Sequence, residues 1–180
     1  MGKHFFKLTF FLSIICIAPS IISCGNNCEK NRDHLVFRYN EHSNISSLDP
    51  AFARNPQNIW PTNQLYNGLV QLDDSLHIQP DIAHRWEIVD STNTYRFFLR
   101  KDIYFHKSNV FGKDSTRTVT AHDFTYSFQR LGDPQVASPG SWVLQNVERF
   151  YAENDSVFTL QLKQPFPAFL GLLSMQTMLF

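Results

Sequence analysis

Two stretches of the chain alternate with a period of two, and a stretch with a helical period lies between them. Tyr95, Phe97 and Leu99 alternate with Arg96, Phe98 and Arg100, and Phe158, Leu160 and Leu162 alternate with Val157, Thr159 and Gln161. Successive strand side chains point to opposite faces, so each stretch reads as a strand with an apolar face. Between them Phe124, Phe128 and Leu131 fall on one helical face, which predicts a helix over 121–131. Thr120 is placed to cap it, and the Asp123 carboxylate can reach back to the first turn and meet the positive end of the helix. Strand, helix and strand on one chain predict an α/β fold, a mixed sheet with helices packed on it.

Other segments fill in this frame. Leu35 to Tyr39 is a short apolar run that reads as a buried strand, and Ser47-Leu48-Asp49-Pro50 turns the chain. Trp60 to Asn67 is predicted as a short helix, with Pro61 in its first turn and Gly68 as a left-handed stop. Ser108 to Arg117, with Gly112, reads as an exposed hairpin or loop excursion. Pro165 and Pro167 precede a helix-like run from Ala168 to Leu173, and Trp86 and Phe105 read as large buried anchors.

The first residues obey different rules. Lys3 and Lys7 begin an apolar run from Leu8 to Ile22, short for a membrane span and shaped like a secretory signal. It ends in Ile21-Ile22-Ser23-Cys24-Gly25, which resembles a bacterial lipobox. Residues 1–23 are then a lipoprotein signal peptide, Cys24 the lipidation site, and 24–33 a polar tether; the alternative is a plain signal-anchor helix with an incidental cysteine. Cys16 leaves with the signal and Cys24 carries lipid, so Cys28 has no free partner for an internal disulfide and the fold must be held by packing. The composition suits this, with 43% hydrophobic and 14% aromatic residues including 17 Phe. A net charge of +0 with no basic block leaves no electrostatic footprint for nucleic acid.

Several segments, in order and spacing, resemble the family 5 extracellular solute-binding proteins, the oligopeptide-binding components of ATP-binding cassette importers. They are Ser47-Leu48-Asp49-Pro50, Leu65-Tyr66-Asn67-Gly68-Leu69-Val70, Pro80-Asp81-Ile82-Ala83-His84-Arg85-Trp86, Tyr95 to Lys101 running on to Phe105-His106, and Val119 to Leu131. Asp133-Pro134, Ala137-Ser138-Pro139 and Leu160 to Pro165 follow. The resemblance implies a two-lobed protein that clamps its ligand between the lobes. Family members are longer, and this chain ends at Leu179-Phe180 inside an apolar run, so residues 34–180 are expected to form an incomplete first lobe with the second lobe absent. The Ser108–Arg117 excursion stands where relatives have a tight turn.

The implied function is extracytoplasmic binding of a solute, a peptide by family, for an importer permease, from a lipid anchor on the membrane. In relatives the segment after the Leu-Asp-Pro turn lines the cleft. Here that makes Arg54 a partner for a carboxylate and Asn55 a partner for a peptide amide, the alternative being a solvated loop. The segment after Ala137-Ser138-Pro139 makes Trp142 a stacking wall, the alternative being core burial. A structural lipoprotein remnant and a secreted hydrolase are the competing functions. Against the hydrolase, the chain has neither a His-Glu-x-x-His motif nor a Gly-x-Ser-x-Gly elbow, and its 7 His are scattered singly. No cofactor, metal or nucleic acid is expected.

Overall fold

A computed structural model of the chain describes residues 38–89 and 93–175. The signal peptide, the tether, Cys24 and most of the strand expected over Leu35–Tyr39 lie outside the described residues; Arg38, Tyr39 and Asn40 carry no regular element. The chain divides into two units, 1–40 and 41–180, and the second contains every element that follows.

In chain order these are α1 (Pro56–Leu65), β1 (Val70–Leu72), β2 (Ile78–Pro80), β3 (Ala83–Val89), β4 (Thr94–Leu99), α2 (Ala121–Gly132), β5 (Val147–Asn154), β6 (Val157–Leu162) and α3 (Phe169–Leu172). Short 3-10 turns cover Pro50–Phe52, Asn109–Asp114 and Ser141–Asn146. β1 and β2 form a hairpin, and the other strands form a four-stranded sheet in the order β3-β4-β6-β5. Helices and sheet combine as expected, and every ladder among the described strands is antiparallel.

The two alternating stretches become β4 and β6, the central strands. Tyr95 pairs with Leu160 and Phe97 with Phe158, so their apolar residues share one face. α2 lies on that face through Phe124 and Phe128, whose rings stand 5.9 Å and 5.2 Å from that of Phe158. Phe169 of α3 meets Tyr95 at 5.7 Å. The outer face is polar yet covered: Thr159 is buried beneath Glu153, which accepts its hydroxyl at 2.7 Å and a paired grip from Arg96 at 2.8 and 2.6 Å.

Several local expectations need correction. The first helix begins at Pro56, not Trp60, and Pro61 lies in its interior. Pro56 takes the first helical position, where its missing N–H costs nothing, whereas Pro61 forfeits the bond its nitrogen would have given to Gln57. Gly68 is no left-handed stop, because Gly112 is the only described glycine with a positive φ. Instead the Gly68 N–H donates to Asp81 Oδ2 at 3.0 Å and its carbonyl accepts from Ile82 at 3.0 Å, tying the strand that follows to β3. Trp86 and Phe105 are only partly buried, at the margin of the core. The 108–117 excursion is exposed and hairpin-like: Phe105 N–H donates to Arg117 at 3.0 Å, Ser108 N–H to Ser115 at 2.6 Å, and none of Asn109–Asp114 is buried.

Candidate ligand-binding site

The site is built from two irregular segments fastened to α2. In the first, Asp49 Oδ1 accepts from the Ala51 N–H at 3.0 Å and starts the 3-10 turn Pro50–Phe52. Arg130, from the last turn of α2, grips the same carboxylate with both terminal nitrogens, at 2.8 and 2.5 Å. The Arg130 hydrogen bonds hold the Asp49 carboxyl below the usual range against the opposing effect of burial, with the Ala51 N–H adding to the lowering. In the second segment, the buried Ser138 hydroxyl donates to the Ala51 carbonyl at 2.6 Å and accepts from the Gly140 N–H at 3.1 Å. One hydroxyl therefore joins the Asp49–Ala53 turn to the stretch that leads into Ser141–Asn146.

Between these fastened segments lies a cavity of about 150 Å³. Ala53, Arg54 and Ile59 come from the first segment and α1, Pro139, Gly140 and Trp142 from the second, and Met175 completes the lining. Arg54 and Trp142, far apart in sequence, thus meet at one surface. Trp142 is 48% exposed, so it is not a core residue. Asn55 is not part of this lining. Its carbonyl opens α1, accepting from the Asn58 and Ile59 N–H groups, both at 2.9 Å.

The sequence reading missed Ile59 and Met175 as lining, and Arg130 and Ser138 as the groups that position the walls. Neither positioning group had a local signal, because Arg130 and Ser138 act on Asp49 and Ala51 across 81 and 87 residues of chain. Chemically the cavity offers a guanidinium, an indole and apolar contacts: it can pair, stack and exclude water. Among the described residues no cluster of three or more His, Cys, Asp or Glu could hold a metal, and no helix is long and apolar enough to cross a membrane.

A second cavity, about 320 Å³, lies between the Asp49 turn and α2. Its charges are already paired, Arg130 with Asp49 and Arg117 with Asp123 at 2.8 and 2.5 Å, and Arg117 also lies 4.6 Å over the Phe105 ring.

Residues 77–178 match the bacterial extracellular solute-binding proteins, family 5 Middle, over more than half of the chain. The chain belongs to that family. Its curated relatives include the Escherichia coli "Probable deoxycholate-binding periplasmic protein YgiS", 30% identical over 96% of this chain and 34% of the relative. The periplasmic oligopeptide-binding protein OppA of Salmonella typhimurium is 33% identical over 74% of this chain and 26% of its own length. Among solved structures, the family 5 chain superimposes on the periplasmic binding protein DppA of Helicobacter pylori in complex with the peptide STSA. The TM-score is 0.66 at 28% identity, covering 75% of this chain and 28% of that one. The chain therefore spans about a quarter to a third of the length of these relatives.

Proposed function

We propose that residues 34–180 supply one wall of the ligand cleft of an extracytoplasmic receptor that hands peptides to an ATP-binding cassette permease. The observation that carries this reading is the convergence of Arg54 and Trp142 on one open cavity, in a fold shared with binding proteins solved around peptides. The peptide class finds support in relatives such as DppA with STSA and Haemophilus influenzae OppA with RPPGFSPFR, both 28% identical to this chain. Small-molecule sites bury most of the ligand surface, and this cavity is open on one side; the facing wall is assigned to a second lobe outside these residues. Residues 1–23 are read as the signal and 24–33 as the tether, with Cys24 carrying lipid at the membrane surface.

Calorimetric titration with a mixed peptide pool tests the binding role. The protein with both lobes should bind at about micromolar strength, worth roughly 8 kcal/mol, and residues 24–180 alone should fall to about the millimolar range if half of that is lost. Absence of any peptide binding by the two-lobed protein refutes the role. Acyl labelling tests the anchor: it should vanish in Cys24→Ser, and unchanged labelling refutes lipidation at that residue.

A further inference from the structure

Six of the seven arginines within 41–175 are engaged by groups among the described residues. Arg85 pairs with Glu87, Arg96 with Glu153, Arg100 with Asp102, Arg117 with Asp123 and Arg130 with Asp49. Arg149 donates to Gln161 at 2.6 Å and lies 5.6 Å over Tyr151. Within 41–175 the exception is Arg54, which has no such partner among the described residues. It is also the arginine that lines the cavity, and no acid lies beside it there: its companions are Ala53, Ile59, Pro139, Gly140, Trp142 and Met175.

A guanidinium stays charged at any ordinary pH, and its planar fork matches a carboxylate. Where the other arginines meet protein carboxylates, amides or rings, this one faces an open apolar hollow with a half-exposed indole. Five of the other arginines are paired with carboxylates, and a carboxylate from outside the described residues is the group that would complete Arg54 in the same way. Its neighbour in the ligand must be apolar, because the remaining lining offers carbon surface and one ring. Covering the cavity would remove water and strengthen the pairing.

Resting on the binding role above, we propose that this cavity selects ligands that place a carboxylate on Arg54 beside an apolar group packed on Trp142. The carboxylate can belong to an acidic side chain or to a peptide C-terminus. Four probes separate these sources: Ala-Phe-Glu-Ala and Ala-Phe-Gln-Ala, each with a free and an amidated C-terminus. Titrated into the full-length mature protein, the peptide with the preferred carboxylate should bind roughly tenfold more tightly than its uncharged partner, as a charge-assisted hydrogen bond allows. A Glu-over-Gln preference assigns the side chain, and a free-over-amidated preference assigns the terminus. Arg54→Gln should erase the preference, and Arg54→Glu should invert it. If the protein binds all four equally, or if Arg54→Gln keeps the preference, charge selection at Arg54 is wrong while peptide binding stands. If none of the four binds, both the selection and the peptide role fail.

Discussion

Between the sheet and α2, Phe97, Phe124, Phe128 and Phe158 are wholly buried against one another, whereas the walls at Arg54 and Trp142 depend on one buried hydroxyl and one bidentate ion pair. The core is held by many small contacts that tolerate no missing volume. The walls are held by few directed bonds across segments without regular structure. Stability and site shape therefore rest on different residues, and substitutions should separate them.

The largest effect should come from the core. Phe158 is 0% exposed and touches rings from a neighbouring strand and from both buried turns of α2. Phe158→Ala should cost about 3–5 kcal/mol through lost burial and the cavity left behind. Urea denaturation measures this, and a loss below about 1 kcal/mol would mean the core is not packed as described.

Ser138→Ala should divide the two regions. It strips the buried Ala51 carbonyl and the Gly140 N–H of partners, at a cost of about 1–3 kcal/mol. Its distinguishing mark is binding: peptide affinity should fall even well below the melting temperature, because the Arg54 and Trp142 segments are no longer tied. If affinity is unchanged, the hydroxyl does not position the site.

The ion pair adds a pH signature. Asp49 is held below the usual carboxylate range by Arg130, so its contribution to stability is full above the unfolded value near 3.9. It is lost as the pH falls through the lower folded value, where the unfolded chain binds more protons. The pair is about one-third exposed, so after solvent screening about 1 kcal/mol is at stake. Asp49→Asn should be less stable than the parent at pH 7, and the gap should close below about pH 4. Denaturation curves with a gap that does not depend on pH would remove the ion pair from the account.

The contrast also explains what the sequence disclosed. β4 and β6 are central and regular, so their alternation was readable residue by residue. β3 and β5 were not, because their registers shift, in β3 between Ala83 and Arg85 and in β5 between Val147 and Arg149 and again between Ala152 and Asn154. By register the residues on the core side then follow as Ala83, Trp86 and Ile88, the last 51% exposed at the sheet's edge, and as Val147, Phe150 and Ala152, a spacing of three and then two that fits neither template. At the site, residue types and family order pointed to Arg54 and Trp142. Asn55 was drawn in by adjacency, though the backbone there spends itself on opening α1. The fastening through Ser138 joins positions distant in sequence, and no local pattern announces it.

The smallest expected effect concerns the start of α2 and tests how a cap is shared. Thr120 was predicted to cap the helix with Asp123 reaching back, and that capping box forms, with the Asp123 carboxylate carrying several of its bonds. Asp123 Oδ2 accepts from the Thr120 N–H at 2.8 Å and from the Thr120 hydroxyl at 3.1 Å, while Arg117 reaches both carboxylate oxygens. Asp123's own N–H donates to the Thr120 carbonyl at 3.1 Å and also faces the Thr120 side chain, which forms the other half of a capping box. Burial pushes the Asp123 carboxyl up, and the Arg117 and Thr120 hydrogen bonds outweigh it and hold the group low. Thr120→Ala keeps the bond from the backbone N–H to the Asp123 carboxylate and removes the hydroxyl half of the box. It should therefore cost about 0.5 kcal/mol, the low end for a cap. Asp123→Ala, which removes the acceptor and leaves Arg117 unpaired, should cost at least twice as much. Urea denaturation of both variants decides the matter: if Thr120→Ala is the more damaging, the hydroxyl caps the helix directly and the carboxylate is secondary.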